Sequence, residues 1–174
     1  EIAKGVISKL KYKELRLSDT SEIKEMSGLA SAIVKDHYDP ILGETQNNYM
    51  IDKFQSVAAI KNQLENGYKY YFVTSHDGVK VGFIALLEKE DHMYISKFYL
   101  HKDYRGKGIS RDMLQFIIEK ADEAGFDSII LNVNKYNHIA IRAYEKLGFT
   151  KIKEEKIDIG KGYYMDDFVY KYSI

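Results

Sequence analysis

The clearest chemistry in the chain lies in six consecutive residues, Arg105-Gly106-Lys107-Gly108-Ile109-Ser110. Two glycines one residue apart let backbone N–H groups converge on a ligand with no Cβ in the way. A helix opening directly after such a turn adds up to about four unpaired N–H groups and the positive end of its dipole. Arg105, Lys107 and Arg111 add positive charge around the bend. The group that suits this arrangement is phosphate, and a diphosphate in particular. The competing reading is a tight turn that happens to be basic. A Walker A loop does not fit, because no Gly-Lys-Ser/Thr run follows. A Rossmann fingerprint fits poorly too. Its third glycine falls on Arg111, and hairpins precede the turn instead of alternating strand-helix units.

The flanking periodicities supply the elements that would hold this turn. Met93 to Leu100 reads as a strand entering it. Ile109, Met113, Leu114, Phe116, Ile117, Ala121 and Ala124 form the apolar stripe of a helix leaving it, closed by Gly125. Upstream, Tyr12 to Leu17 alternates as a first strand. Asp19-Thr20-Ser21 then caps a helix carrying Ile23, Met26, Leu29, Ala30 and Ile33. The polar stretch Asp36 to Asn48 reads as an ordered functional loop. Asp52 caps a second helix, with Val57, Ala58, Ile60 and Leu64, which ends at Gly67. Strands Tyr70 to Thr74 and Val79 to Leu87 meet at Asp77-Gly78, a hairpin signal. Ser128 to Val133 reads as a strand buried on both faces. A helix from about Asn137 to Leu147 stops at Gly148, and strands Thr150 to Ile159 and Tyr163 to Tyr172 flank Gly160-Lys161-Gly162. A hairpin-rich half followed by a strand-helix-strand crossover predicts an α/β fold. Its sheet is mixed and mostly antiparallel, with helices on its faces.

Composition bounds the functions. The 174 residues suit one domain, and Lys+Arg 26 balances Asp+Glu 26, so no basic excess points to nucleic acid. With no Cys, a disulfide framework and thiolate metal sites are excluded. His37, His76, His92, His101 and His138 make no close ligand pattern, and no metal is assigned. No apolar run approaches the roughly 18 residues of a membrane span, and the start is too polar for a signal-peptide core. A cytoplasmic location is therefore expected, with no membrane partner. Residues 1–10 are expected to be disordered or not native to the protein.

Arg105, Gly108 and Ser110 match the Gln/Arg-x-x-Gly-x-Gly/Ala signature of motif A in the GNAT superfamily of N-acetyltransferases, with Ser110 as a small departure. Asn137, Ala140, Tyr144, Gly148 and Phe149 resemble the Asn-x-x-Ala-x-x-x-Tyr-x-x-x-Gly-Phe pattern of motif B. The resemblance runs from about Tyr12 to Tyr172 and is specific over Met93 to Phe149. It implies a single GNAT-like domain over residues 1–174, with six to seven strands and about four helices. It also implies acyl transfer from acetyl-CoA. In that resemblance the backbone of Phe98, Tyr99 and Leu100 pairs with the pantetheine amides. Strands Met93–Leu100 and Ser128–Val133 splay to admit them. Backbone amides of Gly106, Lys107, Gly108, Ile109, Ser110 and Arg111, beside Arg105, hold the diphosphate. Asn137 binds the pantetheine region, and Tyr144 protonates the departing CoA thiolate. The ending Gly162-Tyr163-Tyr164-Met165-Asp166-Asp167-Phe168 resembles bacterial polyamine-type acetyltransferases of the same superfamily.

The implied reaction is direct attack by a primary amine, on a small molecule or a peptide. An alkylamine with pKa about 10.4 is neutral in only about one molecule in 2,500 at pH 7, a cost of roughly 4.6 kcal/mol. A base or a water chain is therefore useful. Relatives carry Glu at either of two strand positions. Tyr94 and Asn132 stand near those positions here, so a water wire is the expected route. Glu88, Asp91 and His101 are nearby in sequence only. Asp39, Glu44, Asp52, Asp166 and Asp167 either bind a cationic acceptor or are solvated loop charge. A non-catalytic CoA-binding or regulatory module and a nucleotide-phosphate binder remain alternatives. The Tyr-rich last hairpin either extends a sheet across a homodimer or packs internally.

Overall fold

The computed structural model describes residues 10–174. The expectation for the first ten residues falls, for residues 1–9, outside the described residues. Among those described are seven strands and five α-helices. They form two compact units. One holds residues 10–87 and Lys97–Leu114; the other holds Glu88–Ser96 and Gln115–Ile174.

In the first unit the strands run side by side as β1 (Lys11–Glu14), β2 (Lys69–Thr74), β3 (Lys80–Glu88) and the end of β4 (Met93–Leu100). The β1–β2 and β2–β3 pairings are antiparallel. The hairpin expected at Asp77-Gly78 is present: Ser75 N–H donates to Val79 O at 2.8 Å, and Gly78 has φ +86°. Helix α1 (Thr20–Leu42) starts where Asp19 accepts from Glu22 N–H at 3.0 Å, a cap of about 1 kcal/mol. Its buried Ile23, Met26, Ala30 and Ile33 pack with Ile60, Tyr70, Phe72, Phe83 and Ala85 into one apolar core.

Two sequence expectations change here. The stretch Asp36 to Asn48 is helical instead of a loop. Helix α1 runs on through Pro40 to Leu42, and α2 (Glu44–Gln55) follows after the single residue Gly43, whose φ is +84°. The polar side chains that suggested a loop are spent between the helices. Fully buried Asn47 donates to Val34 O at 3.2 Å and to Asp39 Oδ1 at 2.8 Å. The cap of the next helix, α3 (Val57–Glu65), is Ser56, whose hydroxyl accepts from Ala59 N–H at 3.1 Å. Asp52 lies inside α2.

In the second unit the strands run as the start of β4, then β5 (Ser128–Asn134), β7 (Tyr163–Ser173) and β6 (Thr150–Gly160). Strand β5 is parallel to β4 and antiparallel to β7. Helix α4 (Ile109–Glu123) gives its first six residues to the first unit and the rest to the second. Helix α5 (His138–Leu147) ends at Gly148 with φ +109°. Strand β5 is less covered than expected. Ile129, Leu131 and Val133 are buried, but Ile130, Asn132 and Asn134 on the other face are only half-buried. The last hairpin packs into the chain's own sheet, with β7 between β5 and β6.

Candidate functional site

In the first unit, β4 delivers the chain through a single 3₁₀ turn, Lys102–Tyr104, into the glycine bend. His101 Nδ1 accepts from Asp103 N–H at 3.2 Å and starts that turn. Gly106 and Gly108 have φ of +76° and +77°, a region costly for residues with a Cβ. Arg105, Gly106, Lys107 and Gly108 are all exposed, and Ile109 is buried as the first residue of α4. Among the described residues no hydrogen bond takes the N–H groups of Gly106, Lys107 or Gly108. A Cβ built on Gly106 meets nothing within 4 Å, so the bend opens onto free space. Arg105 Nε reaches back to Leu100 O at 3.3 Å, and Lys107 lies over the Tyr104 ring at 5.5 Å. Phe98, Tyr99, Leu100, Arg105 to Ser110 and Arg111 are therefore consecutive parts of one strand-turn-helix passage. The observed donors fit an anionic diphosphate.

The same strand carries a group that sequence reading passed over. Lys97 is 6% exposed, and its Nζ donates to Phe54 O at 2.5 Å and to the Tyr70 hydroxyl. Burial brings its pKa down to about 7. The alternation of Met93, Ile95, Lys97 and Tyr99 puts Lys97 on one face of β4 with apolar residues, but it does not name the partners that lie across from it.

In the second unit, Asn137 is 3% exposed and caps α5, its Oδ1 accepting from Ala140 N–H at 3.3 Å. Tyr144 is half-buried, with its ring edge-on to Phe149 at 5.8 Å. The parallel register of β4 on β5 runs from Met93↔Ile129 to Ile95↔Leu131, whereas β7 follows β5 as far as Asn134. Asn132, just past the last β4 partner, is the hub of a polar cluster. Its Oδ1 accepts from the Tyr94 hydroxyl at 3.2 Å. Its Nδ2 donates to Glu155 Oε2 at 3.0 Å and Asp167 Oδ2 at 3.3 Å. Asp167 is 3% exposed, and burial pushes its carboxyl up to about 6. The charges of Glu155 and Asp166 push the same way, while the Asn132 hydrogen bond opposes them. Glu155 itself is held below its ordinary value by Asn132 and Lys153.

The other acidic candidates have partners within the protein. Asp39 takes Asn47 and Lys35, which hold its carboxyl low. Asp166 pairs with Lys135 at 3.0 Å, and Glu44 lies 3.7 Å from the Lys35 ammonium. Asp91 is bonded to His92 at 2.7 Å on the surface.

Residues 32–149 match the model of the acetyltransferase (GNAT) family. YdgE of Bacillus subtilis, an uncharacterized N-acetyltransferase, is 31% identical over 113 residues, covering 59% of this chain and 72% of that protein. The spore coat polysaccharide biosynthesis protein SpsD of the same organism is 25% identical over 134 residues, but the chain spans only 44% of its length. Among solved structures, the PaiA N-acetyltransferase of Thermoplasma acidophilum in complex with coenzyme A has a TM-score of 0.74 at 19% identity, covering 95% of this chain and 99% of that one. A family match running from helix α1 through the glycine bend to Phe149 makes this chain a member of the GNAT family of N-acetyltransferases.

Proposed function

We propose that the chain transfers an acetyl group from acetyl-CoA to a primary amine by direct attack on the thioester. The observation that carries this reading is the bend at Gly106 and Gly108 at the mouth of α4, left-handed, solvent-exposed and with N–H groups that no hydrogen bond takes among the described residues. The match of residues 32–149, which draws on both compact units, supports a single acetyltransferase domain.

In this reading, Gly106 to Arg111 bind the diphosphate through main-chain N–H groups, with Arg105 and Lys107 supplying charge. The backbone of Phe98, Tyr99 and Leu100 orients the pantetheine arm as an added strand, and Asn137 lies beside that arm. Acetyl-CoA supplies the activated acyl group when bound. Tyr144 donates a proton to the departing sulfur, a suitable acid at neutral pH. The chain's main contribution is orientation, which converts a bimolecular encounter into a positioned one. The acceptor is a polyamine, another small amine or a peptide amine.

Incubating the protein with acetyl-CoA and a panel of such amines, while following thiol release, tests the proposal. A second reading rests on the Tyr94–Asn132 hydrogen bond, whose two residues stand near the positions where some relatives carry a Glu. On that reading the chain is a non-catalytic CoA-binding module. Coenzyme A binding by calorimetry, with no thiol release on any amine, would favour it. Stabilisation by ATP but not by coenzyme A would overturn both.

A further inference from the structure

Lys97 is a lysine at a core position whose partners among the described residues are neutral. It shares a face of β4 with Met93, Ile95 and Tyr99, and its Nζ meets the Phe54 carbonyl and the Tyr70 hydroxyl. Tyr70 passes its own proton onward, donating to Gln63 Oε1 at 2.5 Å. The Tyr70 ring centroid is 4.9 Å from Nζ. Among the described residues no carboxylate lies within salt-bridge distance of Nζ, and burial alone lowers its pKa. The cation shown near these partners, Lys53 on α2, stacks over the Phe54 ring at 5.9 Å.

The donor count selects the protonation state. A neutral amine has two N–H groups, and the structure gives it two acceptors. That leaves one lone pair uncommitted. A third proton would bring a buried charge with no counter-ion, an expensive arrangement. Farther along the same face of β4 the surroundings are aromatic and partly open. Half-buried Tyr99 stands edge-on to Tyr38 of α1 at 6.5 Å and stacks on Phe83 at 5.3 Å. An alkylammonium is attracted to such rings before it gives up its proton. Lys97 also directly precedes Phe98, the first residue proposed to hold the pantetheine arm.

We infer that Lys97, as the free base, accepts the proton that the acceptor amine sheds when its nitrogen attacks the thioester. This rests on the acetyl-transfer reading above. The N–C bond forms and the C–S bond breaks. The electrons of the C–S bond go to sulfur, which takes a proton from Tyr144. The ammonium gives its first proton to solvent before attack; the second, shed as the N–C bond forms, goes to Lys97 Nζ and then to solvent, and Tyr144 is reprotonated from solvent.

The test is the pH profile of kcat at saturating amine, from pH 5.5 to 9.5, for the full chain and for Lys97→Arg and Lys97→Met. The wild type should show an acid limb inflecting near pH 7. Both variants should lose that limb and fall about 100-fold in kcat at pH 8, with KM for acetyl-CoA changed less than about twofold. Arginine keeps the charge and cannot act as the base, so a purely structural role would leave the limb in place. A retained limb in either folded variant overturns the inference. If neither variant folds, carbon-13 NMR titration of the Lys97 ε-carbon in the wild type decides. An inflection near pH 7 supports the assignment, and one near the ordinary lysine value of about 10.4 overturns it. A wild type that releases no thiol overturns the acetyl-transfer reading itself, and this inference with it.

Discussion

Replacing Asp167 by Asn should make the protein more stable at neutral pH, and only there. Burial pushes the native carboxyl up to about 6, well above the ordinary aspartate value of about 3.9. Below about pH 4 both native and unfolded chains hold the proton, so the group is neutral to stability. Between about 4 and 6 the unfolded chain releases it and the native protein does not. Stability is therefore lost as pH rises through that window. A shift of about two units corresponds to roughly 3 kcal/mol. Asparagine mimics the protonated acid and can still accept from Asn132, but it adds a donor that must find a partner. The expected net gain at pH 7.5 is therefore about 1–2 kcal/mol, and a gain of 1 kcal/mol raises Tm by roughly 2–4 °C for a chain of this size. Urea or thermal unfolding from pH 4 to 8 reads the difference directly. A gap that closes by pH 4 supports the argument. A variant that is less stable at pH 7.5, or a difference that ignores pH, refutes it.

Gly108→Glu places a carboxylate at a φ of +77° and in the path proposed for the diphosphate. It should weaken coenzyme A binding at least 100-fold by calorimetry, and unchanged affinity would remove the bend from the site. Tyr144→Phe should lower kcat at least tenfold with coenzyme A affinity within twofold; equal turnover would strip the hydroxyl of its acid role. In Gly82→Ala, the new Cβ would overlap the Tyr99 carbonyl oxygen and lie 3.3 Å from Leu100 Cα. It should cost about 1–3 kcal/mol and weaken coenzyme A binding by displacing β4. Differential scanning calorimetry that finds Tm unmoved would show that β3 and β4 have slack the packing does not reveal.

The passage from β4 through the glycine bend into α4 was legible because each part has a local cause. Alternation sets the strand, Gly106 and Gly108 set the bend, and a stripe from Ile109 to Ala121 sets the helix. Helix α2 was not legible. Gln46, Asn47 and Asn48 look like loop residues until Asn47 is seen to bond Val34 and Asp39 on the neighbouring helix. The buried states of Lys97 and Asp167 were hidden for the same reason. A charge between apolar residues reads as a surface position unless the partners that satisfy it, here Phe54, Tyr70 and Asn132, are known to lie across from it. The two-faced burial expected of β5 failed because an apolar run says nothing about whether a second layer covers it.

The joint between α1 and α2 constrains how this protein can diversify. Gly43 alone closes one helix, with its N–H on Asp39 O at 3.0 Å, and opens the next. One extra residue after it would rotate all of α2 by about 100° and slide it by about 1.5 Å. Asn47 would then point away from Val34. Insertions and deletions are thus poor raw material at this elbow, and variation there is confined to swapping side chains on helices of fixed phase.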